Sequence, residues 1–434
     1  MEKKKTLTSI TISNLTKELA NGNEPILNNF WSKIEKSGTP LIEPIKGDES
    51  HKLVTFIIRG NNETKNAVVV CSLVNQDDVI SNNICERIEN TDIFYKSFVV
   101  LNGTRIVYTI SIDNSLKFPR FYDNLMNNWD TFIPDPYNSK RFTQRYRRDG
   151  ENFLVEYSVL ELPGVESLKW SEKQNGVIPG KLKELDFKSN ILNAKRKMWI
   201  YTPNNYDSKN IPLHLLIILD GKAFIEFTKA PLILDNLQAE KKIPPTIAIF
   251  IHNYSGSSRG KDLLCQPQFT EFIIKDLIPW VHEKYNVSSN PAHSILMGSS
   301  SGGLAASYIG FKHPEMFRNI LSQSGFYQWY PGNPWFQYSL QFYGDDYVRW
   351  WSKEDEKEEE WLTKQYLQND KLDLKFYINV GNLETRAIKP IQNFHKMLQK
   401  KGYTHFYKEF PGGHEYIAWQ TYLPEGLMYL IGSQ

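Results

Sequence analysis

HSILMGSSSGGLAASYIGFKHPEMF, residues 293–317, is the stretch whose reading decides the fold. HSILM is short and apolar, as a buried strand is, and LAASYIGFK continues as a helix. Three serines stand between them, and the glycines set the frame: only Ser300 has glycine at both the second position before it, Gly298, and the second after it, Gly302. G-x-S-x-G between a strand and a helix is the pattern of a nucleophile elbow, in which small flanking residues let strand and helix approach closely and a strained turn lifts the serine hydroxyl clear of the sheet edge. The helix that starts behind the serine favours negative charge developing there.

Working outward, strands and helices alternate from about residue 182. KRKMWIYTP, HLLIILDG, IPPTIAIFIHN, NILSQSG, DLKFYINVG and HFYKEFPGG are strand candidates. QFTEFIIKDLIPWVHEKY, KPIQNFHKMLQKKG and the terminal YLPEGLMYLIG are helix candidates. That order implies a parallel sheet covered on both faces, here an α/β-hydrolase domain. Before residue 165 the texture differs. After a helical lead-in, Glu24 to Lys36, KLVTFIIRG, NAVVVCSLV, KSFVVLNG, RIVYTISID and FLVEYSVLEL are short runs rich in Val, Ile, Phe and Tyr, bounded by Gly, Asn and Asp. They predict a β-sandwich. The expected organisation is therefore an N-terminal β-sandwich over 1–165, a linker over 166–181 and a hydrolase domain over 182–434. Within the hydrolase domain, residues from about 327 to 366 form a lid-like insertion, aromatic at first and then acidic in SKEDEKEEEW (352–361).

The chemistry follows from chain order. PGGHEY, Pro411 to Tyr416, comes 114 positions after Ser300, on a loop behind the last strand candidate. That is where a general base reaches back over a nucleophile. His414 alone of the nine histidines has such a place; His252, which follows a strand, remains a candidate for lining the site. Glu384, in NVGNLE behind the strand KFYIN, is placed to orient the imidazole, although a glutamate at a helix start is equally a capping or solvated residue. Asp373 precedes that strand and so belongs to the opposite edge. An oxyanion hole needs two amide donors. Ser301 offers one, and the turn after LLIILDG, at Gly221 and Lys222, the other. Neither a cofactor nor a metal is expected.

Composition narrows the partners. Lys and Arg total 51 against 49 Asp and Glu, a net charge of +2, so no global field favours nucleic acid or a membrane surface. Cys71, Cys85 and Cys265 are scattered and odd in number, which predicts free thiols in a reducing, cytoplasmic compartment. The N-terminus begins basic without the apolar run of a signal peptide, and no window reaches the ~18 apolar residues of a membrane helix. Aromatic residues make up 13% of the chain, fitting an aromatic-lined site or aromatic-rich β structure alike. Oligomeric state is not legible.

Along nearly its whole length the chain resembles the enterochelin (enterobactin) esterases, which hydrolyse ferric trilactone catecholate siderophores. The likeness runs in order through FWSKIEKSGTPLIEP, VTFIIRG, ERIENTDIF, PDPYNSKRF and YSVLELPG, then RKMWIYTP, LLIILDGKAF, RGKDLLCQPQF, the Ser300 elbow, LSQSGFYQW, VGNLETR and PGGHEYIAW. The resemblance implies an immunoglobulin-like N-terminal domain, Ser300 as nucleophile, His414 as base and Glu384 as acid, and a small ester, a ferric siderophore, as substrate. A tricatecholate ferric complex is trianionic, so cationic contacts are expected from Arg259, Arg386 and Lys222. Trp329, Tyr330 and Trp335 are expected to stack on catechol rings, with burial under the insertion the rival reading. The chain departs from the family pattern where Asp262-Leu263 stands for a Glu-Leu pair after the loop arginine, and in the long acidic insertion. On the same scaffold an esterase of another lactone, a depsipeptide or a feruloyl-type ester is the alternative, and a non-catalytic siderophore-binding protein a third.

Overall fold

The computed structural model of the 434-residue chain describes residues 7–20, 24–74, 80–117, 131–148, 151–209, 211–253, 257–333 and 357–432. Two compact units emerge. The first holds Met1–Glu166 with two later loops, Asn382–Thr385 and Pro411–Ala418, and the second holds the rest.

In the first unit two antiparallel sheets share a core. One has the order β1 (Leu41–Ile45), β2 (Asp48–Arg59), β5 (Ile93–Leu101), β4 (Glu86–Arg87); the other runs β3 (Ala67–Cys71), β6 (Arg105–Ile112), β9 (Glu151–Glu161), β8 (Arg141–Arg148), with β7 (Phe132–Ile133) beside β6. Alternate residues of a strand point to one face. Val54, Phe56 and Ile58 of β2 accordingly meet Val69 and Cys71 of β3, Ile106 and Tyr108 of β6 and Leu160 of β9. Helices Ile10–Leu19 and Glu24–Ser37 bury Ile12, Leu15, Trp31 and Ile34 with Ile57 and Ile93. The PDPYNSKRF loop spends its polar groups on this unit. Asp135 accepts from Thr39 and Tyr108, and the Asn138 amide donates to the Tyr108 hydroxyl and the Val159 carbonyl.

The second unit is an α/β-hydrolase-type sheet of eight strands. Its order is β10 (Lys181–Ser189), β11 (Ala194–Thr202), β13 (Thr246–Ile251), β12 (His214–Ile218), β14 (Ser294–Ser299), β15 (Asn319–Gln323), β16 (Lys375–Gly381), β17 (Thr404–Phe410). The first three pair antiparallel and all later pairs are parallel. Period-2 alternation divides the apolar residues between the faces. Leu215, Ile217, Ile247, Ile249, Leu296, Phe376 and Ile378 pack on one side with helices Ser301–Lys312 and Ile388–Lys401; Leu216, Ile218, Ala248, Phe250, Ile295, Met297 and Tyr377 pack on the other with helices Ala230–Ala239 and Tyr416–Ile431. Near-continuous apolar strands are what a sheet buried on both faces requires.

Two sequence expectations change here. The stretch read as a linker is structured: Trp170 is buried in a short 3-10 turn, its carbonyl accepts from Asn236, and Lys181 at the end of the stretch already starts strand β10. The insertion does not stand off the domain throughout. Tyr327, Trp329, Trp361, Leu362 and Tyr366 are core residues, while 334–356, with Trp335, lie outside the described residues.

Candidate active site

The turn after β14 is built as the glycines demanded. Ser300 has φ 57° and ψ −123°, a conformation that costs a residue with a Cβ of order 1–3 kcal/mol. Its amide donates to the Gln323 carbonyl at 2.9 Å, and its carbonyl accepts from Leu304 at 3.1 Å and Phe326 at 3.0 Å. Those bonds hold the strained backbone in place. A Cβ on Gly298 would lie 2.5 Å from the Gly302 carbonyl carbon, and one on Gly303 would lie 2.5 Å from the Ser322 hydroxyl. Ser300 and Ser301 are half-buried, on the solvent side of a turn whose preceding residues are fully buried. Helix Ser301–Lys312 starts at the next residue, so the Ser301 amide has no intrahelical acceptor.

β12 ends beside β14 in the same parallel register, and its following turn carries Gly221 and Lys222 at the start of helix Gly221–Glu226. Asp220, which opens that turn, is left-handed at φ 55°. Gly221 is obligatory, because a Cβ there would meet the Phe250 backbone at 2.4 Å. The Lys222 ammonium stands 4.0 Å from Glu226.

β16 and β17 end at the same edge, and each runs directly into one of the loops that belong to the first unit. Within that unit the loops bind each other: the Leu383 amide donates to the Gly412 carbonyl at 3.0 Å, and the Gly412 amide to the Asn382 side chain at 3.2 Å. Nδ1 of His414 lies 2.6 Å from Oε2 of Glu384. The Glu384 side chain is 2% exposed and the imidazole 33%. A buried carboxylate accepting from Nδ1–H fixes the tautomer that leaves Nε2 as the proton acceptor.

Sequence reasoning missed Glu415, whose one signal was its place directly after the histidine. It is a buried carboxylate that accepts from the Ser72 hydroxyl and from the Val107 amide at 2.7 Å. Burial pushes its carboxyl up to about 7, against the lowering effect of the Ser72 and Val107 bonds. β3 stops at Cys71 opposite Tyr108, so Glu415 takes the next β6 amide where the β3 ladder has ended.

The expected substrate contacts are placed differently. Arg259 grips Asp220 with both ends of its guanidinium, Nε to Oδ1 at 2.8 Å and Nη2 to Oδ2 at 2.7 Å. Asp262 forms a buried two-point pair with Arg196 at 2.8 and 2.9 Å. Desolvation raises its carboxyl to about 6, with Arg196 and Asn253 opposing. Trp329 is 1% exposed and packs edge-on against Trp361, so the burial reading holds for this ring. Tyr330 packs partly buried on the same core, and Arg386 is exposed. Burial lowers His252 to about 4, with Lys222 adding to the effect, so it is neutral at neutral pH. Cys71, Cys85 and Cys265 are buried free thiols, and burial raises all three. A cavity of about 330 Å3 lined by Asn290, Pro314, Arg318 and Asp373 lies where β14, β15 and β16 begin, away from Ser300. Among the described residues no helix is long and apolar enough to cross a membrane.

Comparison with known proteins finds relatives that cover nearly the whole chain. The iron(III) enterobactin esterase of Dickeya dadantii is 26% identical over 427 residues, covering 93% of this chain and 92% of the relative. The iron(III) salmochelin esterase of Escherichia coli O6:H1 is 22% identical over 441 residues, 97% and 98% of the two chains. The crystal structure of the ferric enterobactin esterase of Salmonella typhimurium superimposes with a TM-score of 0.71 at 22% identity, over 93% of this chain and 98% of that one. That of the enterobactin esterase of Shigella flexneri, obtained in the presence of enterobactin, gives 0.70 at 22%, over 92% and 97%. A family model described as "Putative esterase" matches residues 189–430, more than half of the chain. By that match the chain, whose strained Ser300 turn lies at the carboxyl edge of an eight-stranded hydrolase-type sheet, belongs to the Esterase family, and relatives it resembles along more than nine-tenths of its length include enterobactin and salmochelin esterases.

Proposed function

We propose that the protein hydrolyses the ester bonds of a cyclic catecholate trilactone siderophore in its ferric form, with Ser300, His414 and Glu384 as the triad. Nε2 of His414 takes the Ser300 proton as Oγ attacks the ester carbonyl, and the carboxylate of Glu384 steadies the imidazolium that forms. The tetrahedral oxyanion is met by the Ser301 amide and the Gly221 and Lys222 amides. Collapse expels the alcohol oxygen of the ester, which leaves with the proton His414 returns. Water, deprotonated by the same imidazole, then frees Ser300 from the acyl group. Opening the macrolactone removes the covalent link that preorganises the three catecholates, so affinity for ferric ion falls and iron is released.

The observation that carries this reading is that the likeness to iron(III) enterobactin esterases spans both units rather than the hydrolase sheet alone. We read the N-terminal unit as immunoglobulin-like, and Arg386 and Trp335 as contacts for the trianionic ligand. A reducing, cytoplasmic site of action fits three unpaired cysteines. A different ester on the same scaffold is the second reading, favoured by the acidic run SKEDEKEEEW, a poor neighbour for a trianion.

Incubation of ferric enterobactin and ferric bacillibactin with the protein and with Ser300→Ala, followed by chromatography, tests both. Linear trimers, dimers and monomers are expected with the parent alone. Intact trilactones beside Ser300-dependent cleavage of a p-nitrophenyl ester would keep the catalytic assignment and discard the siderophore.

A further inference from the structure

The expectation that Arg259 faces the substrate rested on its charge, and in the second unit that charge is engaged. Nε and Nη2 of Arg259 bind Oδ1 and Oδ2 of Asp220 at 2.8 and 2.7 Å, and the Asp220 side chain is only 7% exposed. Asp220 is held through its backbone as well. Its φ is left-handed and its amide donates to Oδ1 of Asn253 at 2.9 Å; Nδ2 of Asn253 in turn donates to Asp262 at 2.8 Å, which is itself paired with Arg196. Along this chain two carboxylates, Asp220 and Asp262, flank the neutral Asn253, and each is paired at its outer side with an arginine, Arg259 and Arg196.

The position of the Asp220 carboxylate gives the chain its meaning. Oδ2 lies 3.3 Å from where a Cβ on Gly302 would stand, so the carboxylate rests against the second residue after Ser300. It also opens the turn that carries Gly221 and Lys222. A carboxylate there has the same sign as the oxyanion that an attack by Ser300 creates, and unpaired it would oppose that charge across a poorly screened distance.

We propose that Arg259 is a positioning residue that acts through Asp220: it neutralises and orients the carboxylate beside the nucleophile elbow, so that the developing anion meets amide donors without a bare negative neighbour. The proposal rests on Ser300 being the nucleophile. It makes the effect of Arg259 independent of the charge of the substrate, which separates it from a guanidinium that binds a trianionic ligand directly. The left-handed Asp220 and the two-point grip also account for why a planar guanidinium, rather than a lysine, stands here.

The test compares the parent with R259Q, D220N, R259Q/D220N and R259K on two substrates, neutral p-nitrophenyl butyrate and ferric enterobactin, with inhibition by an alkylboronic acid, whose adduct with a serine is a tetrahedral anion. For the neutral ester, R259Q is expected to lower kcat by roughly 10- to 100-fold with KM changed less than about threefold. It should weaken the boronate by a similar factor, since the same charge opposes both anions. R259Q/D220N should recover most of that loss, because removing the carboxylate removes what Arg259 was neutralising. R259K, which keeps the charge and loses the fork, should fall between the parent and R259Q.

The proposal is overturned if R259Q leaves kcat for the neutral ester unchanged and raises KM for the ferric siderophore alone; Arg259 is then a substrate contact. It is also overturned if the double variant is as slow as R259Q, because the pair is then a structural brace. Should D220N fail to fold, judged by circular dichroism and melting, R259K and the boronate series decide. Ser300→Ala in the same assay separates the failures: if it hydrolyses the neutral ester as the parent does, the nucleophile assignment falls and this proposal with it.

Discussion

Glu415 shows how much a single side chain next to a catalytic candidate depends on its surroundings. Buried and pushed up to about 7 from an ordinary value of 4.5, it holds its proton longer in the native state than in the unfolded chain. Between those two values the native state binds more protons, so the stability this group contributes is complete below about 4.5 and is lost as pH rises through 7. Glutamine can stand in for the protonated acid, donating to the Ser72 hydroxyl and accepting from the Val107 amide. Glu415→Gln should therefore lose less stability than the parent between pH 5 and pH 8, by on the order of 2 kcal/mol, read from urea midpoints at the two values. An equal loss in both proteins would place the titration elsewhere. Glu384→Gln addresses the neighbouring pair. With the carboxylate gone, nothing selects the Nδ1–H tautomer of His414, and kcat should fall by roughly two to four powers of ten while KM moves little. Steady-state kinetics on a p-nitrophenyl ester measures it, and an unchanged kcat would make Glu384 a bystander.

At the scale of elements, the turns after β12 and β14 are where backbone space is exhausted. Gly298→Ala and Gly221→Ala each drive a Cβ to 2.5 Å or less from backbone carbon, which flexible side chains cannot relieve. Each should cost several kcal/mol, seen as a fall in melting temperature of ten degrees or more or as loss of soluble protein. Gly402 is the control. It ends helix Ile388–Lys401 at φ 69° with nothing within 4 Å of a built Cβ, so Gly402→Ala pays only the left-handed penalty of about 1–2 kcal/mol. Equal costs at the three positions would mean that the backbone around Gly298 and Gly221 yields to a Cβ and that crowding does not govern the elbow. The same crowding explains why GSSSGG was legible: the glycines are there because strand, turn and helix leave no volume for a side chain.

At the scale of the whole molecule, each unit has its own buried clusters, and the loops with Glu384 and His414 belong to the first unit. A cavity in the core of that unit should therefore be felt by the chemistry. Phe56→Ala removes a fully buried ring and should destabilise the first unit by about 3–5 kcal/mol. In a urea titration its hydrolytic activity should disappear with the first unit, at a lower concentration than in the parent, while Phe250→Ala, in the core of the second unit, acts on the sheet that carries Ser300. Activity in Phe56→Ala that persists through the unfolding of the first unit would show that the two loops keep their geometry without it.

What the sequence by itself determined is local. Near-continuous runs of Val, Ile and Leu specify strands buried on both faces, and the glycines around Ser300 specify the tight strand-to-helix turn, because each depends on residues within a turn or a strand of one another; chain order behind β16 and β17 made Glu384 and His414 the candidates for acid and base. What only the tertiary structure decided is which charges are spent. Arg259 looked like a cation for an anionic ligand, and its partner Asp220 is 39 positions away. Glu415 was not singled out at all, and its donors at Ser72 and Val107 are 343 and 308 positions away. Trp329 looked like a stacking platform until Trp361 closed over it. The physical reason is common to all three: a charge or a ring is exposed or engaged according to what packs beside it, and strands far apart in the chain supply those neighbours.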